Sequence, residues 1–173
     1  MMLPSLSILK EDWKRNRHNT KGLFVVTFFR LANFFATKKR NTLFWLLGIP
    51  IVICYKLFVE WILSVELQVK TDVVPGLVIY HGQGLVVSDQ TKIGENVTLR
   101  HNTTIGNKQN TAGGTASSPV IGDNVDIGSN CVIIGDISVG ANAVIGAGAV
   151  VVTDVPENAV MAGNPAKDIK IKE

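Results

Sequence analysis

The chain predicts a mainly β protein, a parallel β-helix with an N-terminal helical segment, and three observations predict it. First, Ile121, Ile127, Ile133, Val139, Ile145 and Val151 recur every six residues. Val125, Cys131, Ile137, Ala143, Ala149 and Val155, all small or aliphatic, follow each of them by four. Neither a helix nor an ordinary strand gives that register, whereas a hexapeptide repeat is the signature of a parallel β-helix. Second, Gly122, Gly128, Gly140 and Gly146 occupy the next place of the repeat; Gly, Asn and Asp are expected at corners, where φ > 0 is needed. Third, the composition divides. Of 12 aromatic residues 11 lie within 1–61, and 14 of the 16 glycines lie after residue 75.

The N-terminal segment, 1–64, reads as helical. Residues 5–19 form a short amphipathic helix with Ser7 as its N-cap and Glu11 and Asp12 near its first turn. A Phe-rich helix follows over 23–37, and Asn41-Thr42 starts a third over 43–64. The segment carries ten Lys/Arg against three Asp/Glu, a balance that suits anionic lipid headgroups or other polyanions; no nucleic-acid partner is expected. The third helix is long enough to span a bilayer, but it holds Pro50, Lys56 and Glu60, and each charge at mid-membrane costs roughly 2.5–3.5 kcal/mol. Insertion, peripheral contact and packing on the repeat or on neighbouring subunits all stay open. No apolar run precedes Leu23, so no cleaved signal is expected. Cys54 and Cys131 read as isolated, buried thiols of a reducing, cytoplasmic compartment.

The repeat occupies 65–155. Upstream, Val69, Val87, Ile93, Leu99 and Ile105 keep the sixfold register, with Val73, Ile79, Leu85, Thr91, Val97 and Thr103 at the companion places. Pro75 and His81 stand at core-register places where an aliphatic residue is expected. Between Ile105 and Ile121 the step is 16, which makes 107–119 an inserted polar loop; a long loop inside a regular repeat is commonly functional. The segment 156–173 is a turn followed by a basic tail. His81 and His101 have no Cys partner in metal-ligand spacing, so no metal site is expected.

The repeat, the inserted loop and the closing Gly146-Ala-Gly-Ala149, Asp154-Val-Pro156 and Ala162-Gly-Asn-Pro-Ala-Lys167 resemble the left-handed β-helix hexapeptide acyltransferases. Tyr80-His-Gly82 and Val97-Thr-Leu-Arg-His-Asn-Thr-Thr-Ile-Gly106 resemble the serine-acetyltransferase-like branch. The short aromatic N-terminal region and Glu66-Leu-Gln68 are similar to the colanic-acid and capsule acetyltransferases within it. The left hand is implied by the resemblance alone.

The resemblance implies an acetyl-CoA-dependent O-acetyltransferase that works as a homotrimer with sites between subunits. It assigns His81 as general base and Glu66 as the carboxylate that orients it. A coil of about 18 residues sets Glu66, fifteen residues before His81, at a neighbouring place on the adjacent coil. An imidazole suits proton removal at neutral pH when its tautomer is fixed. His101 and Tyr80 are assigned to the acceptor; Gly106, Asn107, Ser129 and Ala147 to the pantetheine arm; Lys167 to the adenosine phosphates. Serine acetyltransferases carry an Arg-His pair where this chain has Ser117-Ser118, and an Asp where it has Tyr80. Those groups recognise an amino acid's charged ends, so a sugar hydroxyl, free or lipid-linked, is the expected acceptor, at the inner face of the cytoplasmic membrane, with peripheral contact through 1–64. A serine or other small-molecule acetyltransferase and a non-enzymatic scaffold are the alternatives.

Overall fold

The computed structural model describes residues 6–37, 42–108 and 117–169. Helix α1 (Leu6–Asn16), α2 (Thr20–Thr37) and α3 (Thr42–Tyr55) come first, and α3 continues as a π-helical segment, Lys56–Ile62. Ser7 lies inside α1 rather than capping it. The described strands then stack as coils. β1 (Val65–Leu67), β2 (Asp72–Val73) and β3 (Val78–Tyr80) form the first. β4 (Leu85–Val87), β5 (Lys92–Ile93) and β6 (Thr98–Arg100) form the second. β7 (Thr104–Gly106), β8 (Val120–Ile121) and β9 (Asp126–Ile127) form the third. β10 (Val132–Ile134), β11 (Ser138–Val139) and β12 (Val144–Ile145) form the fourth. β13 (Val150–Val151) and β14 (Val160–Ala162) close the solenoid, and β15 (Lys167–Asp168) pairs antiparallel with β14. Three sheets result, in orders β1-β4-β7-β10-β13, β11-β8-β5-β2 and β15-β14-β12-β9-β6-β3; every other pairing is parallel.

The sixfold aliphatic residues fill a narrow core: Ile121, Ile127, Ile133, Val139, Ile145 and Val151 are all buried. Ile121 stacks on Ile93, so the register of the prism is the same on both sides of the 107–119 insertion. Residues 109–116 of that insertion lie outside the described residues.

Two expectations are corrected. The first coil takes 20 residues: Val65 pairs with Leu85 and Leu67 with Val87. Leu67, not Val69, therefore stacks beneath Val87. The two surplus residues lie in the corner Tyr80–Gly84, so His81 is not at a core place at all; Ile79 fills that place and His81 projects from the corner at φ 66°. The second correction concerns the corners. Asparagine takes the left-handed conformation there as expected, at Asn96, Asn124, Asn142 and Asn158 along one edge and Asn102 and Asn130 along another, whereas Gly122, Gly128, Gly140 and Gly146 do not. Asn tolerates that conformation better than other non-glycine residues. The glycines of the repeat serve close approach instead. A Cβ on Gly128 would lie 2.5 Å from Ala147 N, and one on Gly122 2.8 Å from Val139 O.

The helices cover the open end of the first coil, whose β2 and β3 edges would otherwise leave backbone groups unpaired. Asp12 Oδ1 accepts hydrogen bonds from Gly76 N (2.7 Å) and Leu77 N (3.2 Å). Arg30 donates to Val73 O (2.5 Å) and Val74 O (2.8 Å) and pairs with Asp12 at 2.8 Å, the two side chains being 6% and 1% exposed. Asn16 reaches Leu77 O, Asn19 reaches Ile79 O, Asn33 reaches Val69 O, and Tyr55 Oη reaches Leu67 O. Cys131 is buried as expected, but Cys54 is exposed on α3. Among the described residues no helix is long and apolar enough to cross a membrane.

Candidate active site

The site is built on the corner that follows β3. Gly82 N bonds to Tyr80 O (2.8 Å), and Gly84 N bonds to Ser64 O of the corner below (2.7 Å). Those bonds lock the turn that presents His81. Twenty residues on, His101 occupies the next corner, and the two imidazole rings meet edge to face at 5.8 Å with an 81° angle between planes. Among the described residues His101 Nδ1 is buried without a hydrogen-bond partner, and a buried, unpaired ring nitrogen is costly.

Glu66 is placed on β1, with its side chain exposed and opposite Val86. Its neighbour Val65 lies against the same corner, since a Cβ on Gly82 would come within 3.1 Å of the Val65 side chain. The segments bearing Glu66 and His81 are thus adjacent, but no hydrogen bond or ion pair joins the two side chains among the described residues. Glu60 lies near enough to Glu66 to feel its charge: its carboxyl is raised above the ordinary value, first by burial and then by that repulsion, against the opposing pull of Lys56.

Tyr80 is 42% exposed beside His81. The parallel pairing of β3 with β6 sets Tyr80 opposite Arg100, whose guanidinium lies 5.8 Å from the ring centroid. Arg100 pairs with Asp126 and donates to Ile127 O at 2.8 Å; the bond to Asp126 raises its already high pKa. Arg100 and Asp126 were not foreseen. With coils of about 18 residues the sequence did not set Arg100 on Tyr80; the 20-residue first coil does.

Of the residues assigned to the acyl donor, Ser129 and Ala147 follow the same edge. Gly148 N bonds to Ser129 O (2.8 Å) and Asn130 N to His101 O (3.1 Å), so His101, Ser129 and Ala147 mark successive coils, about 4.8 Å apart. Gly106 ends β7 on the adjoining sheet, with Asn107 exposed after it. A Cβ on Gly106 or on Gly148 would meet nothing within 4 Å among the described residues, which leaves room there for an extended ligand. Lys167 sits exposed on β15, at the far end of the solenoid from the helices. Ser118, by contrast, is buried and bonds to Ser88 Oγ (3.2 Å), while Ser117 is exposed. Among the described residues no three His, Cys, Asp or Glu side chains converge as metal ligands.

Comparison with known proteins follows this geometry. Residues 118–153 match the bacterial transferase hexapeptide (six repeats) family. Over 163 residues the chain is 32% identical to WcaB of Escherichia coli K12, a protein provisionally named a colanic acid biosynthesis acetyltransferase, covering 94% of this chain and 99% of that one. It is 34% identical over 112 residues to serine acetyltransferase 2 of Arabidopsis thaliana, 65% of this chain but 34% of that protein. Among solved structures, soybean serine acetyltransferase without ligand superposes with a TM-score of 0.77 at 28% identity, over 94% of this chain and 68% of that one.

Proposed function

The chain belongs to the hexapeptide-repeat acetyltransferases, and from that premise we propose that it transfers the acetyl group of acetyl-CoA to a sugar hydroxyl in exopolysaccharide or capsule biosynthesis. The observation that carries the sugar reading is Tyr80: its ring is exposed beside His81 and backed by Arg100. An aromatic face complements the apolar face of a pyranose, whereas an amino acid's ammonium calls for a carboxylate. A serine acceptor is the second reading, favoured by the likeness of the fold to serine acetyltransferases.

In the proposed reaction His81 removes the proton of the acceptor hydroxyl as its oxygen attacks the thioester carbonyl. The tetrahedral intermediate collapses with cleavage of the C–S bond, and the imidazolium returns its proton to the departing coenzyme A sulfur. Glu66 orients the imidazole, and coil backbone amides stabilise the oxyanion. Coenzyme A lies between the edge marked by Ser129 and Ala147 and the end of β7 at Gly106 and Asn107, with Lys167 at its phosphates. The open space at Gly106 and Gly148 supports that path. His101 contacts the acceptor or the thioester. The orphan nitrogen of His101 supports a site completed by a neighbouring subunit of a homotrimer. The exposed apolar side chains of α3 and the π-helical segment support peripheral contact with the inner face of the cytoplasmic membrane.

Thiol release from acetyl-CoA, measured with sugar acceptors and serine side by side, tests the reading. Turnover with a sugar and not with serine is expected. His81→Ala should lower kcat by roughly 10²–10⁴-fold, the usual worth of a general base; a near-wild-type rate removes the mechanism. Glu66→Gln should cost less and leave KM nearly unchanged. Light scattering should give a trimeric mass.

A further inference from the structure

The α1–α2 turn and the end of β3 flank an open pocket of about 420 Å³ lined by Lys14, Arg15, Arg17, His18, Asn19 and Tyr80. No carboxylate lines it. Tyr80, which flanks the base, is its wall toward the site. Lys14 and Arg15 stand in the last turn of α1, where cations offset the partial negative charge of the helix C-terminus. That accounts for those two. It does not account for Arg17 and His18, which lie beyond the helix end and make no hydrogen bond or ion pair among the described residues. Arg15 is held by Gly76 O, and Lys14 has only Glu11, 3.8 Å away.

The turn is fixed to the strand beneath it. Asn19 Nδ2 bonds to Ile79 O (2.8 Å), its Oδ1 accepts from Gly22 N (3.0 Å), and Asn16 Nδ2 bonds to Leu77 O (2.8 Å). A Cβ on Gly22 would lie 2.5 Å from Ile79 O, so α2 begins in direct contact with β3. The basic groups are therefore held at a set place next to Tyr80-His81, and at the opposite end of the solenoid from Lys167.

We propose that this pocket binds the phosphate or diphosphate of a phosphorylated sugar acceptor, one whose sugar is linked through phosphate to a nucleotide or to a lipid carrier. The inference rests on the sugar reading above and names its substrate class. The anion sits among Lys14, Arg17 and His18, charge-assisted hydrogen bonds hold it, and the sugar lies across Tyr80 with its hydroxyl toward His81. Uniform binding of a part remote from the chemistry lowers KM and leaves kcat alone.

The test compares four acceptors carrying one sugar or none: a UDP-sugar, a short-chain prenyl-diphosphate sugar, the methyl glycoside of that sugar, and serine. Wild type is set against Arg17→Ala, the double variant Lys14→Ala/Arg17→Ala, and Lys92→Ala, which removes a charge from an exposed strand residue on another sheet. The wild type should prefer a phosphorylated acceptor over the glycoside at least tenfold in KM; whichever diphosphate has the lower KM identifies the carrier. The double variant should lose about tenfold or more of that preference, with kcat, the KM for acetyl-CoA and the KM for the glycoside within about twofold; Lys92→Ala should change none of them. Inorganic pyrophosphate should compete with the phosphorylated acceptor in the wild type and much less in the double variant. Equal use of glycoside and phosphorylated sugar overturns the inference and leaves the sugar acetyltransferase standing. A rise in the KM for acetyl-CoA alone assigns the pocket to the donor and also overturns it. Turnover of serine and no sugar removes the proposed function itself, and pyrophosphate titration of the two proteins then reports separately whether the pocket holds anions.

Discussion

Cys131 and Cys54 separate cleanly by their surroundings. Burial raises the Cys131 thiol above its ordinary pKa, opposed in part by backbone N–H groups of Ala149 and Gly148, and its sulfur lies 3.2 Å from Gly146 O. The reactive species is the thiolate, so native protein should take up one equivalent of maleimide, at Cys54, and a second only after unfolding in urea; rapid labelling of Cys131 in the native protein would refute the packing. Asp154 behaves in the opposite sense. Its carboxylate accepts hydrogen bonds from Ser138 N (2.7 Å) and Oγ (3.0 Å), which hold its pKa below the ordinary value. A lowered folded-state pKa adds stability above the unfolded value, lost as pH falls through the folded one. Asp154→Asn should therefore lower the unfolding midpoint near neutrality, and the gap should close once acid protonates the wild-type carboxylate. At this scale the sequence was partly legible. His81 was singled out as the base, but it was set at a core-register place, because a strict period of six hides a single step of eight. Asn102, Asn130 and their counterparts carry positive φ at the corners as expected, but Gly122, Gly128, Gly140 and Gly146 do not. Spacing alone does not distinguish a residue needed for its φ from one needed for its missing Cβ.

Among elements, the helices were legible from their apolar runs, while their docking was not. Nothing in the sequence marked Asp12, Asn16, Asn19, Arg30 and Asn33 for docking, yet they bond the backbone of the first coil. Polar side chains aimed at a sheet edge leave no periodic trace. The pair Asp12–Arg30 satisfies backbone groups as well as each other, so removing one partner strands a buried charge. Asp12→Ala should cost about 3–5 kcal/mol, read as a lower urea midpoint; a loss below about 1 kcal/mol would mean that water reaches Arg30. The coils make a second prediction. A Cβ on Gly140 would lie 2.7 Å from Pro156 C and 2.8 Å from Glu157 Cα. Both are backbone atoms of the adjoining coil and cannot swing aside, so Gly140→Ala should destabilise by about 1–3 kcal/mol. Gly106→Ala meets no such atom and should leave stability nearly unchanged.

The whole molecule is polarised, and the division of composition already announced it: a basic, aromatic helical end on a glycine-rich prism. What the composition left open is which helical surface stays uncovered. Tyr55 and Val59 face the first coil and are fully buried. Leu46, Leu47, Ile53, Leu57, Phe58, Trp61 and Ile62 of α3 and the π-helical segment are exposed, Trp61 at 79%. An apolar helical surface on a segment with ten Lys/Arg against three Asp/Glu suits the headgroup region of an anionic bilayer, with aromatic rings at the interface and cations toward the lipid phosphates. Cys54 lies within this surface and serves as a native reporter. Anionic vesicles should shift Trp61 emission to the blue and slow maleimide labelling of Cys54. Zwitterionic vesicles should do neither, and raising the salt from 0.1 M to about 1 M should reverse both effects as the Debye length falls from about 10 Å to about 3 Å. Trp61→Glu should abolish binding without altering turnover of a soluble acceptor. Equal protection of Cys54 without vesicles, rising with protein concentration, would instead assign this surface to contacts between copies of the chain, and the membrane reading would fall.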